Sequence, residues 1–237
     1  MDNHFKKGLK KIVYIISNER NQVIKFSTTT IKVLQNLIED LLKRIINQAK
    51  QYNKNILTPS SIQKSIMNNI FKECPELSNV VSLQCMQCIS RVSSILENNS
   101  KQKESAKEKI NLNTIAGLNV SISYIVSIIK SIDNSIKIID LSPIILTAII
   151  DTILFELCEL SSLELINSNV ITSNGLIVSI KKDSELTKIL NIKKDYKENS
   201  IKNEDNEVNN NGFNEYIDED YFSDQEINDN FEIEIKE

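Results

Sequence analysis

The residues best placed for metal chemistry are Cys85 and Cys88, the one CxxC pair in the chain. A structural zinc site needs four ligands of Cys or His type. The sequence offers a single histidine, His4, and no second CxxC; Cys74 and Cys158 stand alone. Reduced thiols packed along helices are the better reading. Catalytic groups are equally sparse. No nucleophile, base and orienting group fall in a recognisable arrangement, and no glycine-rich loop could cradle a phosphate. With His4 so near the start, acid–base work at neutral pH would rest on carboxylates. The expectation is a protein that is not an enzyme and carries no cofactor. What remains is binding chemistry. Ser27, Thr28 and Thr29 stand at one predicted helix start, and Thr58 and Ser60 at another. Backbone amides exposed at helix starts favour anions. Asp151, Glu156 and Glu159 share a face of a predicted helix, where they are either an acidic binding surface or ordinary solvated charge.

The elements that must position these residues are helical. Glycine (4) and proline (3) are scarce among 237 residues, while 41% are hydrophobic, with Ile and Leu at spacings of three and four. The apolar run Ile12–Ile16 is too short for a secretory signal. Asp151, Glu156 and Glu159 interrupt the stretch from Leu141 to Leu160, which therefore falls short of a membrane span. A non-secreted, soluble protein is expected.

Four regions follow. Residues 1–97 form a first helical unit, with a short helix at Leu9–Ile16. Ser27 caps a long amphipathic helix through Leu34, Leu41 and Ile45 to about Gln51. Thr58 caps a further helix with Pro59 in its first position, where proline lacks only an amide that would be unpaired anyway. Ile62, Ile66 and Ile70 are its stripe, and Leu77–Leu96 forms one more helix. Residues 98–113 are polar and read as a linker. In residues 114–192 the order repeats: a short helix at Ile122–Ser131, a loop with Lys137, a long helix from Ser142-Pro143 toward Ile166, and a short helix opened by Thr172 or Ser173. Residues 193–237 read as an acidic, disordered tail. From Asn203 onward there are 13 Asp/Glu and one Lys, so a net-positive body precedes a strongly negative end.

The segments FSTTTIKVLQNLIEDLLKRIINQA and LTPSSIQKSIMNNIFKECPEL resemble the core histone of the two-B type, with residues 77–96 similar to its extra C-terminal helix. AGLNVSISYIVSII, SPIILTAIIDTILFELCELS and SIKKDSELTKILN resemble, in order, the first helix, the central helix, and the last helix with docking segment of the two-A type. Together the matches cover about three quarters of the chain. Fused doublets of this order resemble those of giant DNA viruses. The resemblance implies an all-α fold in which two tandem histone folds clasp head to tail as a pseudo-heterodimer within one chain.

It also implies a function: packaging viral DNA in a nucleosome-like particle with a partner doublet that supplies the other two folds. Binding would be to the phosphate backbone without sequence specificity, in the virion and the viral factory or nucleus of an infected cell. On this reading Ser27, Thr28, Thr29, Thr58, Ser60, Lys130, Lys137 and Ser142 contact double-stranded DNA. Glu76, Asp151, Glu156, Glu159, Asp183 and Glu185 form an acidic patch for a basic peptide. Leu186, Ile189 and Leu190 dock on the partner histones. The departures bear on affinity. Only Arg20, Arg44 and Arg91 are arginine. The family's groove and first-helix arginines fall on Ser60, Tyr124, Ser127 and Val170, and two patch carboxylates fall on Gln84 and Ser184. The alternative is a histone-fold chaperone or regulatory protein that binds histones but does not wrap DNA, which the scarce arginine and acidic tail favour.

Overall fold

A computed structural model describes residues 3–101, 111–139, 141–165 and 168–192. The acidic segment at 193–237 and the centre of the expected linker lie outside the described residues. The described chain is predominantly α-helical, with four two-residue strands. None of its helices is long and apolar enough to cross a membrane.

Helix α1 (Asn3–Arg20) runs beyond the expected Leu9–Ile16, because Phe5 extends the buried stripe of Leu9, Ile12 and Ile16 by one turn upstream. Strand β1 (Lys25–Phe26) leads into α2 (Thr28–Tyr52). The Ser27 hydroxyl accepts from the Thr30 amide at 3.2 Å and so caps α2. Ile31, Leu34, Ile38, Leu41, Leu42, Ile45, Ile46 and Ala49 make its buried stripe. Each fully enclosed leucine or isoleucine contributes roughly 1.5–3 kcal/mol. Strand β2 (Ile56–Leu57) precedes α3 (Pro59–Ser65), which Thr58 and Ser61 open as a reciprocal capping box with Pro59 in the first turn. The chain then widens into a π turn, Ile66–Ile70, and α4 (Pro75–Lys101) follows.

A five-residue helix straddles the expected boundary between linker and second unit: α5 (Leu112–Ala116), capped by the Asn111 side chain and ended by Gly117 at φ 72°. Then come α6 (Ile122–Ile132), β3 (Lys137–Ile138), α7 (Ser142–Leu163), β4 (Val170–Ile171), α8 (Ser173–Lys182) and α9 (Ser184–Ile189). Thr172 caps α8 by accepting from the Gly175 amide.

The described residues gather into two compact units: the first brings together the start and the end of the described chain, and the second is its middle. The first unit holds α1, β1, α2 up to Asp40, α7 from Leu154, β4, α8 and α9. The second holds α2 from Leu41, β2, α3 to α6, β3 and α7 up to Ile153. Within the second unit, Cys88 and Val92 of α4, Leu112 and Ala116 of α5, Ile122 and Val126 of α6, and Ile144 and Ala148 of α7 form one apolar cluster.

Each unit is closed by one parallel strand pair. In the first, Lys25 pairs with Val170 and Phe26 with Ile171. In the second, Ile56 pairs with Lys137 and Leu57 with Ile138. The flanking hydrogen bonds repeat. The Lys25 amide donates to Asn169 and the Ser27 amide to Ile171, at 2.8 and 3.2 Å. The Lys137 amide donates to Asn55 and the Ile139 amide to Leu57, at 2.8 and 3.1 Å. One hydroxyl also seals each pair: Thr30 donates to the Ile171 carbonyl (3.0 Å) and Ser142 to the Leu57 carbonyl (3.0 Å). The two loop pairs are thus built on one plan, although their side chains differ.

Candidate nucleic-acid and protein interfaces

The loop pairs decide which helix starts meet. In the first unit, β1 and β4 join the start of α2 to the start of α8. Ser27, Thr28 and Thr29 are half-buried there. The Ser27 hydroxyl lies 2.7 Å from that of Thr30, which is fully enclosed and also 3.4 Å from Ser173 Oγ. In the second unit, β2 and β3 join the start of α3 to the start of α7. Thr58 is half-buried and Ser60 exposed. Lys137 stands exposed on β3, and Lys130 is exposed near the end of α6.

Ser142 is a correction. It is fully enclosed and its hydroxyl is committed to Leu57, so it braces the loop pair and does not face solvent. Lys25 is an addition. Its amide makes the same bond in the first unit that the Lys137 amide makes in the second, so the two lysines occupy equivalent places. The signal available in the sequence was the shared pattern of Lys–Phe and Lys–Ile ahead of each central helix. Two positions where the resemblance implies arginine also become concrete. Tyr124 is buried, and the Ser127 hydroxyl donates back to the Tyr124 carbonyl at 2.7 Å.

The acidic residues divide. Asp151 is only 4% exposed and is not a surface carboxylate. One of its oxygens accepts from the backbone amides of Asn119 (3.0 Å) and Val120 (2.8 Å), and the other from the Asn119 side chain (3.1 Å). It fixes the turn that enters α6, where such amides lack intrahelical partners. Glu76, also in the second unit, is exposed at the start of α4. The other four belong to the first unit. Glu156, Glu159 and Asp183 form an interacting group: burial first, then the charges of Glu159 and Asp183, push the Glu156 carboxyl above its ordinary range. Glu159 also lies 3.8 Å from Arg20. Asp183 caps α9 through the amides of Glu185 and Leu186 at 2.9 and 2.8 Å. Glu185, half-buried, follows in the first turn of α9.

The expected docking residues face inward. Leu186 and Ile189 are fully enclosed and Leu190 is 6% exposed, so the chain itself covers the side chains expected to meet a partner. The amphipathic spacing marks an apolar face without saying what covers it.

Cys85, Cys88 and Cys158 are packed along helices, and Cys74 stands just before α4. Cys74, Cys88 and Cys158 are buried and Cys85 is half-buried, and none forms a disulfide. The Cys88 thiol donates to the Ala116 carbonyl at 3.3 Å. Burial, reinforced by Cys88, pushes the Cys85 thiol up to about 12. Burial also raises Cys88, against the opposing pull of Arg91. Thiols held protonated are poor nucleophiles and poor metal ligands.

No protein-family model matches the sequence, and no curated protein matches it.

Proposed function

We propose that the chain is a fused pair of histone folds that packages DNA as a structural protein, without catalysis, together with a partner doublet in a nucleosome-like particle. The observation that carries this reading is the reciprocal parallel pairing of loops. The loop before one central helix bonds to the loop after the other, twice, in one hydrogen-bond pattern. Each pair brings two helix starts and one lysine, Lys25 or Lys137, to one edge. Helix starts and cations side by side suit phosphate-backbone binding without base readout. Glu156, Glu159, Asp183 and Glu185 offer one acidic surface for basic peptides, although Glu159 is shared with Arg20. Working as a viral chromatin protein, in the virion and the viral factory or host nucleus, follows from the resemblance to giant-virus doublets alone.

The test is assembly with the partner doublet on long DNA, followed by nuclease digestion. A discrete protected length of roughly 120–150 base pairs, the scale of histone wrapping, is expected. Replacing Lys25 and Lys137 by glutamine should lower the salt slope of DNA binding by about 2, one unit for each lost phosphate contact. Binding to histones without any protected length would favour the second reading, a histone chaperone or regulator. The observations behind that alternative are the 13 acidic residues from Asn203 onward and the presence of only three arginines.

A further inference from the structure

Helix α4 carries an outward stripe that the proposed function does not use. Eight large hydrophobic residues are conspicuously exposed among the described residues, and three of them lie within one seven-residue stretch: Val80 (45%), Leu83 (55%) and Met86 (61%). The opposite side of α4 is well covered, with Leu77, Val81, Cys88 and Val92 buried. At 100° per residue, Glu76, Val80, Leu83, Met86, Ser90 and Arg91 fall on one side of the helix, all of them outside the buried stripe. Spacings near three and four are those of a helix–helix seam.

The charges around the stripe are as informative as its apolar centre. From Leu77 to Ser90 the helix has no charged residue, in a chain of which 25% is charged. Glu76 closes one end and Arg91 the other, both exposed. A helix that is uncharged in the middle and oppositely charged at its two ends complements itself when laid antiparallel. Leu83 then sits at the centre, next to its own counterpart, and Val80 lies opposite Gln87. Glu76 of each copy reaches Arg91 of the other, so the two charge pairs form together. A parallel arrangement would set like charges side by side. Arg91 gives one N–H to the Ala116 carbonyl at 3.1 Å, and a guanidinium has four more.

We propose that the outward face of α4 is a self-association surface, on which a second copy of this chain lays its own α4 antiparallel, centred on Leu83. This goes beyond DNA packaging and is independent of it: it predicts contact between copies of the chain without DNA or a partner histone. One helix pair buries less than the roughly 1,600 Å² of a standard interface, so the dimer belongs to the weak, transient class and forms at high protein concentration.

Sedimentation of the full chain from about 1 to 300 µM tests the proposal. A monomer–dimer equilibrium is expected, and a monomer across the range overturns the idea. Leu83→Glu should weaken the dimer at least tenfold with an unchanged circular dichroism spectrum; a dimer that survives it uses another surface. Glu76→Arg and Arg91→Glu, each alone, set like charges together at both ends and should weaken association roughly tenfold. Mixed one to one, the two variants recover both opposite-charge pairs and should associate as the wild type does. A mixture no better than either variant alone overturns the antiparallel register. Leu83→Cys gives a readout that does not need the charge variants to fold: mild oxidation should link chains into dimers through residue 83, and no linking above wild type counts against the proposal.

Discussion

Replacing Asp151 separates a structural carboxylate from a binding one. The side chain is 4% exposed and accepts three hydrogen bonds, two from backbone amides. In Asp151→Ala the Val120 amide stays enclosed without an acceptor, which costs about 1–3 kcal/mol. The Asn119 groups are half-buried and turn partly to water, but their two charge-assisted bonds are lost, at about 1 kcal/mol net each. The total is about 3–5 kcal/mol, a large share of the roughly 5–15 kcal/mol that holds a typical domain together. Asp151→Asn is milder. Its amide oxygen still accepts from both backbone amides, and the Asn119 side chain can present its own oxygen to the new amide nitrogen, leaving about 1 kcal/mol for the lost charge. Urea titration followed by circular dichroism measures both. In thermal melts the alanine variant should lose on the order of 6–20 °C for a chain of this size, and the asparagine variant a fifth to a third of that. An alanine variant within 1 kcal/mol of wild type, or the two variants equally destabilised, would refute the assignment of Asp151 as the anchor of the turn before α6.

Gly117→Ala should cost about 1–2 kcal/mol from the left-handed backbone at φ 72°, with a smaller addition because the new methyl meets the Arg91 guanidinium; adding Arg91→Ala should recover only that smaller part in the same urea titration. Lys50 and Asp133 meet at 2.6 Å, and the hydrogen bond from Lys50, with help from Ser135, holds the Asp133 carboxyl near 2. Its folded value lies below its ordinary 3.8, so its contribution is complete above that pH and fades as pH falls toward 2; Asp133→Asn should flatten the pH–stability curve in that window, an effect that shrinks with added salt because the pair is at the surface. Glu156 has the opposite sign. Its folded value is raised by burial, Glu159 and Asp183, so its charge opposes folding once pH climbs above the ordinary carboxyl range; Glu156→Gln should melt higher than wild type at pH 7, and the gap should close below pH 4.

Local rules made the helix starts legible. Thr58 with Pro59, Ser27, and Thr172 are caps whose chemistry is contained in three or four consecutive residues, and all three act as caps here. Helix α5 carries the same kind of punctuation, Asn111 before it and Gly117 after it, but five residues at the end of a polar stretch give too short a stripe to stand out. Side-chain fates that depend on distant partners were not legible. Asp151 looks like any carboxylate on a helix until Asn119 and Val120, more than thirty residues upstream, are placed against it. Ser142 looks like an ordinary helix-opening serine until the Leu57 carbonyl, 85 residues away, accepts its hydrogen bond. The apolar character of Leu186 and Ile189 was plain, but the pattern could not say that the same chain encloses them. The loop pairing itself was expected only through a family resemblance, since two-residue strands leave almost no trace in sequence.

The way both units draw on both halves of the sequence has a consequence for how the protein comes to be made. The Thr30 hydroxyl waits for a carbonyl 141 residues downstream. At the usual 5–20 residues per second of synthesis, that wait is about 7–28 s. During it, the nascent first half presents the apolar stripes of α1 and α2 with no second half to cover them. Such non-local closure makes folding slow, and the exposed stripes make that interval the one most open to aggregation or chaperone capture. Once the second half emerges, however, it arrives already tethered, at an effective concentration in the millimolar range that no separately made subunit would reach. A single chain thus exchanges a search between two molecules for a delay within one.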